Sequence, residues 1–266
     1  MVKRILWTRD QLLVALNIYE KIPFGLFDKS QPVIRDIAKR LERTPDSLAM
    51  KLGNLASLDP ATHARGRKGL PGASNLDREV WAEFQANRET LAPLSEELFR
   101  SLFGAREVDE LDLVKGAGVR KRKAPEPPSG PTETVAEVKV RRGQQFFQQM
   151  VLNAFDSRCG VTGIAIRELL VASHILPWRS HPSERLNTQN GVCLSRLHDG
   201  AFDRGFITFD EDSRLVLSKE LRGQMMNATL QRNFADFEGS PLIVPNKALP
   251  PKPEFFAFHR EKIFRG

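Results

Sequence analysis

Cysteine is nearly absent from this chain. Cys159 and Cys193 are the only two, 34 positions apart. A disulfide scaffold and a four-cysteine zinc site are therefore both excluded. Long apolar runs are missing too. No stretch approaches the roughly 18 consecutive apolar residues of a membrane span. The opening MVKRILWTRDQLLVAL lacks a cleavable signal pattern, because Thr8, Arg9, Asp10 and Gln11 interrupt its apolar residues. Core-forming residues are not lacking. With 266 residues, 41% hydrophobic and 27% charged, the chain can fill one large domain or two small ones. Acids are in deficit: Lys+Arg number 40 and Asp+Glu 33, a net charge of +7. A basic chain with no secretion signal points to a polyanionic partner and a cytoplasmic location.

The excess of charge is concentrated. Residues 115–143, KGAGVRKRKAPEPPSGPTETVAEVKVRRG, hold eight basic residues against three acids, net +5, with four prolines and few large apolar side chains. Such a segment cannot bury enough surface to offset its ordering entropy. It reads as a flexible basic linker that either serves as a solvated tether or makes non-specific phosphate contacts. It divides the chain into a helical domain over 1–110, a Pro-rich linker over 111–143 and a second domain over 144–266.

The first domain reads as all-helical. Thr8 followed by Gln11 resembles a capping box, and Leu12, Leu16 and Tyr19 share a helical face. Ile34, Ile37, Ala38 and Leu41 mark a second helix. Thr44-Pro45-Asp46 is a strong start for a third, whose stripe is Leu48, Leu52 and Leu55. The short gap between Leu41 and Thr44 makes the pair helix-turn-helix-like, with Ser47, Lys51 and Asn54 on the candidate reading face. The alternative is a helix pair that only packs. Val80, Trp81 and Phe84 suggest another helix, and Leu91, Leu94, Leu98 and Leu102 a last one.

The chemistry lies in residues 158–210. Ile164–Ser173 is apolar and β-compatible and leads into His174. A polar loop over 179–190 follows, and Asn190-Gly191 reads as a tight turn. Ser195–Asp203 reads as a short helix closed by Gly205. Phe206–Phe209 and Leu215–Leu217 flank a hairpin turn. The local order is strand, loop, helix, with a histidine at the strand end and another on the helix.

His174, Asn190 and His198, at spacings of 16 and 8, with the strings ASHILPW, NGVCL and FDRG, resemble the HNH endonucleases with their ββα-metal fold. The branch they look like occurs among bacterial restriction endonucleases. The similarity is close over about 60 residues and extends loosely to a closing helix at PEFFAFHREKIF. The resemblance implies an α+β chain: a helical domain, a flexible linker and a C-terminal ββα-metal nuclease domain. It implies hydrolysis of DNA phosphodiester bonds, double-stranded DNA above all, in defence against foreign DNA by a protein associated with the bacterial nucleoid. One divalent cation per site, Mg²⁺ or Mn²⁺, is expected, and no structural zinc.

The residue chemistry agrees with those roles. Phosphodiester hydrolysis needs a base for water and a cation for the developing charge. His174 suits the base, since imidazole titrates near neutrality. Asn190 could orient that ring or brace the loop. Many relatives place an Asp or His ligand just before the base, where this chain has Ser173. Asp199 and Asp203, one helical turn apart, are the expected metal ligands. His198 is the third motif position, as ligand or phosphate contact. It points about 100° around the helix from Asp199, and which of the two fills the family's third slot stays open. Arg179 and Arg196 are candidate phosphate clamps. His181 reads as surface, His259 as packing or surface, and Trp178 as a plug behind the base. One active site cuts one strand at a time, so cutting both strands calls for a homodimer. The competing readings are a DNA-binding regulator on a degenerate HNH scaffold, and an RNA-directed nuclease.

Overall fold

The computed structural model describes residues 6–105, 109–114, 116–123, 135–245 and 248–266. The chain forms two compact units, Met1–Gln149 and Met150–Gly266. No helix among the described residues is long and apolar enough to cross a membrane.

In the first unit, α1 (Arg9–Lys21) opens with the expected capping box, Thr8 and Gln11 satisfying each other's backbone. It is buried from Leu12 to Ile18. The other helices are α2 (Pro32–Arg40), α3 (Pro45–Ala56), α4 (Pro60–Ala64), α5 (Asn75–Ala86) and α6 (Arg88–Leu102); α3, α5 and α6 pack on α1, and α2 packs on α3. Thr44 caps α3 with its hydroxyl on the Ser47 amide, and Pro45 sits at the first helical position.

The leucine stripe expected on α6 is not its buried face. Leu94 is exposed, while Leu91, Ala92, Ser95, Glu96 and Phe99 turn inward. Lys21, fully buried at the end of α1, explains this. Its ammonium pairs with Glu96 and lies 4.6 Å from the Phe99 ring centroid. Asn17 also donates to Glu96 at 3.0 Å. A buried charge must be paired, so the helix rotates its acid toward the core.

A second correction concerns α3. Lys51, expected on a reading face, is buried, and its ammonium donates to both Asp77 carboxylate oxygens at 2.7 and 2.8 Å. Trp7 covers it, ring centroid 5.3 Å away. Asn54 is only half-buried, but Leu70 of the following loop packs over its neighbour Gly53. The side chains that α3 does leave exposed include Asp46 and Met50, an acid and a thioether. The third helix is a core element of the unit, without the cationic face a groove-reading helix requires.

The third correction is the linker over 111–143. Within it lies most of an antiparallel hairpin, β1 (Asp109–Val114) and β2 (Gly118–Lys123), with Leu111 opposite Lys121. Leu111 and Leu113 are buried, and the Val119 amide donates to Asp36 on α2 at 3.2 Å. Two leucines at strand spacing supply an apolar face that composition alone conceals. Helix α7 (Val135–Ala154) takes up the end of the segment, and the division between units falls inside it. Lys115 and residues 124–134 lie outside the described residues.

The second unit contains the expected ββα arrangement. Strand β3 (Leu170–His174) pairs antiparallel with β4 (Gly191–Ser195), placing Ser173 opposite Val192 and His174 opposite Gly191. Helix α8 (Arg196–Asp203) follows at once and packs on both strands. Two local readings change here. The strand begins at Leu170 and not Ile164. Asn190-Gly191 is not a tight turn: Gly191 has an extended backbone and starts β4, a strand the local reading omitted. A second hairpin, β5 (Ile207–Phe209) and β6 (Leu215–Leu217), follows as expected. Short helices α9 (Lys219–Arg222) and α10 (Ala228–Asn233) come next, and α11 (Pro253–Lys262) closes on β5. Gly205, between α8 and β5, has φ +73°, and a Cβ there would stand 2.1 Å from the Ile263 carbonyl oxygen. Only glycine fits, so the glycine of FDRG is a packing requirement.

Candidate active site

Strand β3 ends in the two residues that matter most. Consecutive strand residues face opposite ways. Ser173, almost fully buried, turns to α8, where its hydroxyl donates to Asp203 Oδ1 at 3.5 Å and lies beside Asp199. His174 turns to the loop that follows the strand. Its Nε2 donates to the Arg185 carbonyl at 3.0 Å, and its ring meets the edge of Trp178, centroids 5.2 Å apart. In the neutral ring this leaves Nδ1 as the basic nitrogen. Burial holds the His174 imidazole below its ordinary value, against the opposing effect of the Arg185 carbonyl.

Asn190 braces that loop and does not touch the ring. Its side-chain oxygen accepts from the Leu176 amide at 2.7 Å, and its amide nitrogen donates to the Glu184 carbonyl at 3.0 Å. Leu176, two residues after His174, and Glu184, the residue before Arg185, are thus tied to one buried amide. Arg185 adds a further tie, Nε to the Trp178 carbonyl at 2.7 Å. Arg185 was missed in the sequence because its contribution is a backbone carbonyl, which carries no side-chain signature. Trp178 is half-buried against His174, as the plug reading expected.

Asp199 and Asp203 lie one turn apart on α8, Asp199 half-buried and Asp203 exposed at the helix end. Burial raises the Asp199 carboxyl, opposed by the Ser173 hydroxyl and by Arg196 and Arg204. Burial and then repulsion from Asp199 raise Asp203. Arg204 is a second residue the sequence reading passed over. Its Nη1 donates to the Gly200 carbonyl at 3.2 Å, which keeps its charge beside both acids. Arg196 is exposed, with Nε 3.3 Å from the Glu168 carbonyl, and Arg179 is exposed in the loop after Trp178.

His198 does not join this group. It is almost fully buried, with Nδ1 on the Ser195 hydroxyl at 2.7 Å and Nε2 donating to the Asn233 carbonyl at 2.8 Å. Burial also lowers its pKa. Both ring nitrogens are occupied, so the expected roles of ligand, phosphate contact or catalytic group are corrected: His198 ties α8 to the end of α10. Alanine at 198 is expected to cost about 2 kcal/mol or more, because it leaves a cavity and two unpaired polar partners. Urea denaturation measures that cost. Calorimetry with Mg²⁺ on the same variant should show affinity within about twofold of wild type, and a loss of binding with the fold intact would restore the ligand role.

The remaining histidines are structural or peripheral. His259 is buried, stacked on Phe202 at 3.8 Å, with Nδ1 to the Thr208 hydroxyl at 2.9 Å and Nε2 to the Phe202 carbonyl at 3.1 Å. Burial drives its pKa down to about 4. His181 packs edge-on against Phe258 at 4.8 Å. Cys159 and Cys193 are both buried. Burial and the neighbouring Cys159 push the Cys193 thiol up to about 12, which disfavours the thiolate that a metal needs.

The donor set left for a cation is two carboxylates one helical turn apart, one of which accepts from the buried Ser173 hydroxyl. Among the described residues no three His, Cys, Asp or Glu side chains gather into a metal-binding group. Two carboxylates fit a hard cation that keeps several waters, and such a cation would relieve the repulsion that raises Asp203.

A two-stranded hairpin carrying a histidine at its strand end, with a helix of paired carboxylates packed on it, defines the class: a small ββα nuclease domain. Residues 159–210 match the model of the HNH endonuclease family, designated HNH_2. The matched segment contains β3, β4 and α8 with Ser173, His174, Asn190, Asp199 and Asp203, so this stretch of the second unit is similar to an HNH endonuclease domain. A search of curated proteins gives no match to the chain.

Proposed function

We propose that this protein is a metal-dependent DNA endonuclease acting against foreign DNA. The observation that carries the reading is the junction of β3 and α8. A histidine with a lowered pKa and a serine whose hydroxyl donates to one of two carboxylates on α8 are consecutive residues at the end of one strand. His174 accepts the proton of the attacking water at Nδ1, because Nε2 is committed to the Arg185 carbonyl. Asn190 fixes the loop that supplies that carbonyl. Asp199 and Asp203 would hold the cation, which when bound supplies charge stabilisation at the phosphate and the leaving oxygen. Arg196, Arg204 and Arg179 would meet the phosphate. Cutting both strands would use two copies of the chain.

Supercoiled plasmid incubated with Mg²⁺ or Mn²⁺ tests the reading: nicked or linear product is expected, none with EDTA. The double variant Asp199→Asn/Asp203→Asn is expected to lose calorimetric Mg²⁺ binding and at least about 100-fold in rate. Wild-type binding of Mg²⁺ by this double variant would remove the carboxylates from the site.

A second reading, a regulator on a degenerate HNH scaffold, has one feature in its favour. Ser173 stands where a ligand is expected, and only two acids are gathered. Tight DNA binding without Mg²⁺ or Mn²⁺ affinity would select it. Offering RNA beside DNA separates the RNA-directed alternative.

A further inference from the structure

Helix α8 contains a glycine that its fold does not use. Gly200 lies inside the helix, directly after Asp199. A glycine in a helix interior is less stable there than alanine, because its backbone has more freedom to lose on folding. At other glycines of this chain the packing explains the choice. A Cβ on Gly53, inside α3, would stand 2.7 Å from Leu70 Cδ1, and one on Gly205 would stand 2.1 Å from the Ile263 carbonyl oxygen. A Cβ on Gly200 would meet nothing nearer than Arg204 Nη1 at 3.6 Å, an ordinary contact. The Gly200 backbone is helical, so no left-handed φ calls for glycine either.

The place of this bare spot says what it is for. Residues four apart on a helix lie one above the other. Gly200 therefore stands in one row between Arg196 and Arg204, and the adjoining row carries Asp199 and Asp203. Both arginines are exposed, and each commits one N–H to a backbone carbonyl, Arg196 to that of Glu168 and Arg204 to that of Gly200 itself. A side chain at 200 would rise between the two guanidinium groups, beside the carboxylates. Without one, the main chain of α8 is open to close approach at the level of those carboxylates, and close approach of a backbone to a ligand is a use that only glycine serves. We propose that the sugar–phosphate chain of the DNA lies directly on α8 at Gly200, and that this uncharged main-chain contact sets the distance from the scissile phosphate to Asp199 and Asp203. The proposal rests on the DNA-endonuclease reading and adds to it a contact made by no side chain.

Adding a methyl group at 200 separates this role from a structural one, because stability and activity are expected to move in opposite directions. Gly200→Ala in the full chain is expected to melt at the wild-type temperature or a few degrees above it, alanine being the better helix former. Its kcat/KM on a labelled duplex in Mg²⁺ is expected to fall at least about tenfold, since displacing a reacting group by about 1 Å costs that much or more. Gly200→Leu, also a good helix former, is expected to fall at least about 100-fold. Calorimetric Mg²⁺ affinity of both variants should stay within about twofold of wild type. Wild-type cutting by Gly200→Leu would overturn the proposal, because nothing then approaches α8 at that point. A lowered melting temperature of Gly200→Ala would overturn it by assigning the glycine to the fold, and a loss of Mg²⁺ affinity by assigning it to the carboxylates. Wild type that cuts DNA while Gly200→Leu cuts equally well refutes this contact alone. Wild type that cuts no DNA refutes the endonuclease reading, and the contact with it.

Discussion

Replacing His174 with Ala is expected to lower the rate of DNA cleavage by at least 100-fold, and by up to about 10,000-fold, with little change in duplex affinity. That range is what a positioned general base supplies, roughly 3–5 kcal/mol of barrier. The ring's contacts include a hydrogen bond to the Arg185 carbonyl and an edge contact with Trp178, and thermal melts check that the variant is folded. The pH profile carries the same signature. Only the neutral ring accepts a proton, and burial holds the His174 pKa below 6.5. Activity should therefore persist below pH 6.5 and fall as pH drops through the lowered value. Single-turnover cleavage of a labelled duplex from pH 5 to 8 measures both effects. Undiminished cutting by the variant would move the base elsewhere. An acid limb at or above pH 6.5 would mean that His174 is not held as the structure shows.

The second large effect is on stability. His259 is buried between Thr208 and Phe202 with a pKa of about 4, against about 6.5 when exposed. The unfolded chain binds this proton more readily than the folded one between those values. The stabilising contribution of the neutral ring is complete above pH 6.5 and is lost as pH falls toward 4. By pH 4.5 the loss from this one group is about 2.5 kcal/mol. His198 and His174, also lowered, act in the same direction. Asp199 and Asp203, raised, act in the opposite one, so a variant isolates the histidine. His259→Gln should be less stable than wild type at pH 7.5, and the gap should close by about 2.5 kcal/mol at pH 4.5 in urea titrations of the full chain. A gap that does not change with pH would place the acid sensitivity in other groups.

The charge excess illustrates how far composition reaches. The net +7 points to a polyanion, and most of it lies in residues 115–143. Yet Lys121 belongs to a hairpin strand and pairs with the buried Asp109. Composition located the cation but not the acid that neutralises it, because pairing across a hairpin is not written in composition. The helix-turn-helix-like pair shows the same limit. Thr44-Pro45-Asp46 correctly marked the start of α3, since capping is decided by a few neighbouring residues. The side of α3 that meets solvent was decided 26 residues away, by Asp77 closing on Lys51.

The nuclease domain was legible where its chemistry is local in sequence. The strand end at His174, the helix with Asp199 and Asp203 one turn apart and the hairpin after Gly205 follow from short patterns, and the closing helix from the family resemblance. The partners of each ring were not legible. His174 and His198 are both motif histidines, but one faces the loop at Arg185 and the other is sealed between Ser195 and Asn233. Their fates are set by residues 11 and 35 positions away, acting through backbone carbonyls that every residue possesses. The sequence by itself determined which side chains are available and on which short elements they ride, because capping, periodicity and spacing act over a few residues. Only the tertiary structure decided which backbone carbonyls the rings meet and which charges are neutralised in the core, because burial and pairing depend on elements far apart in the chain.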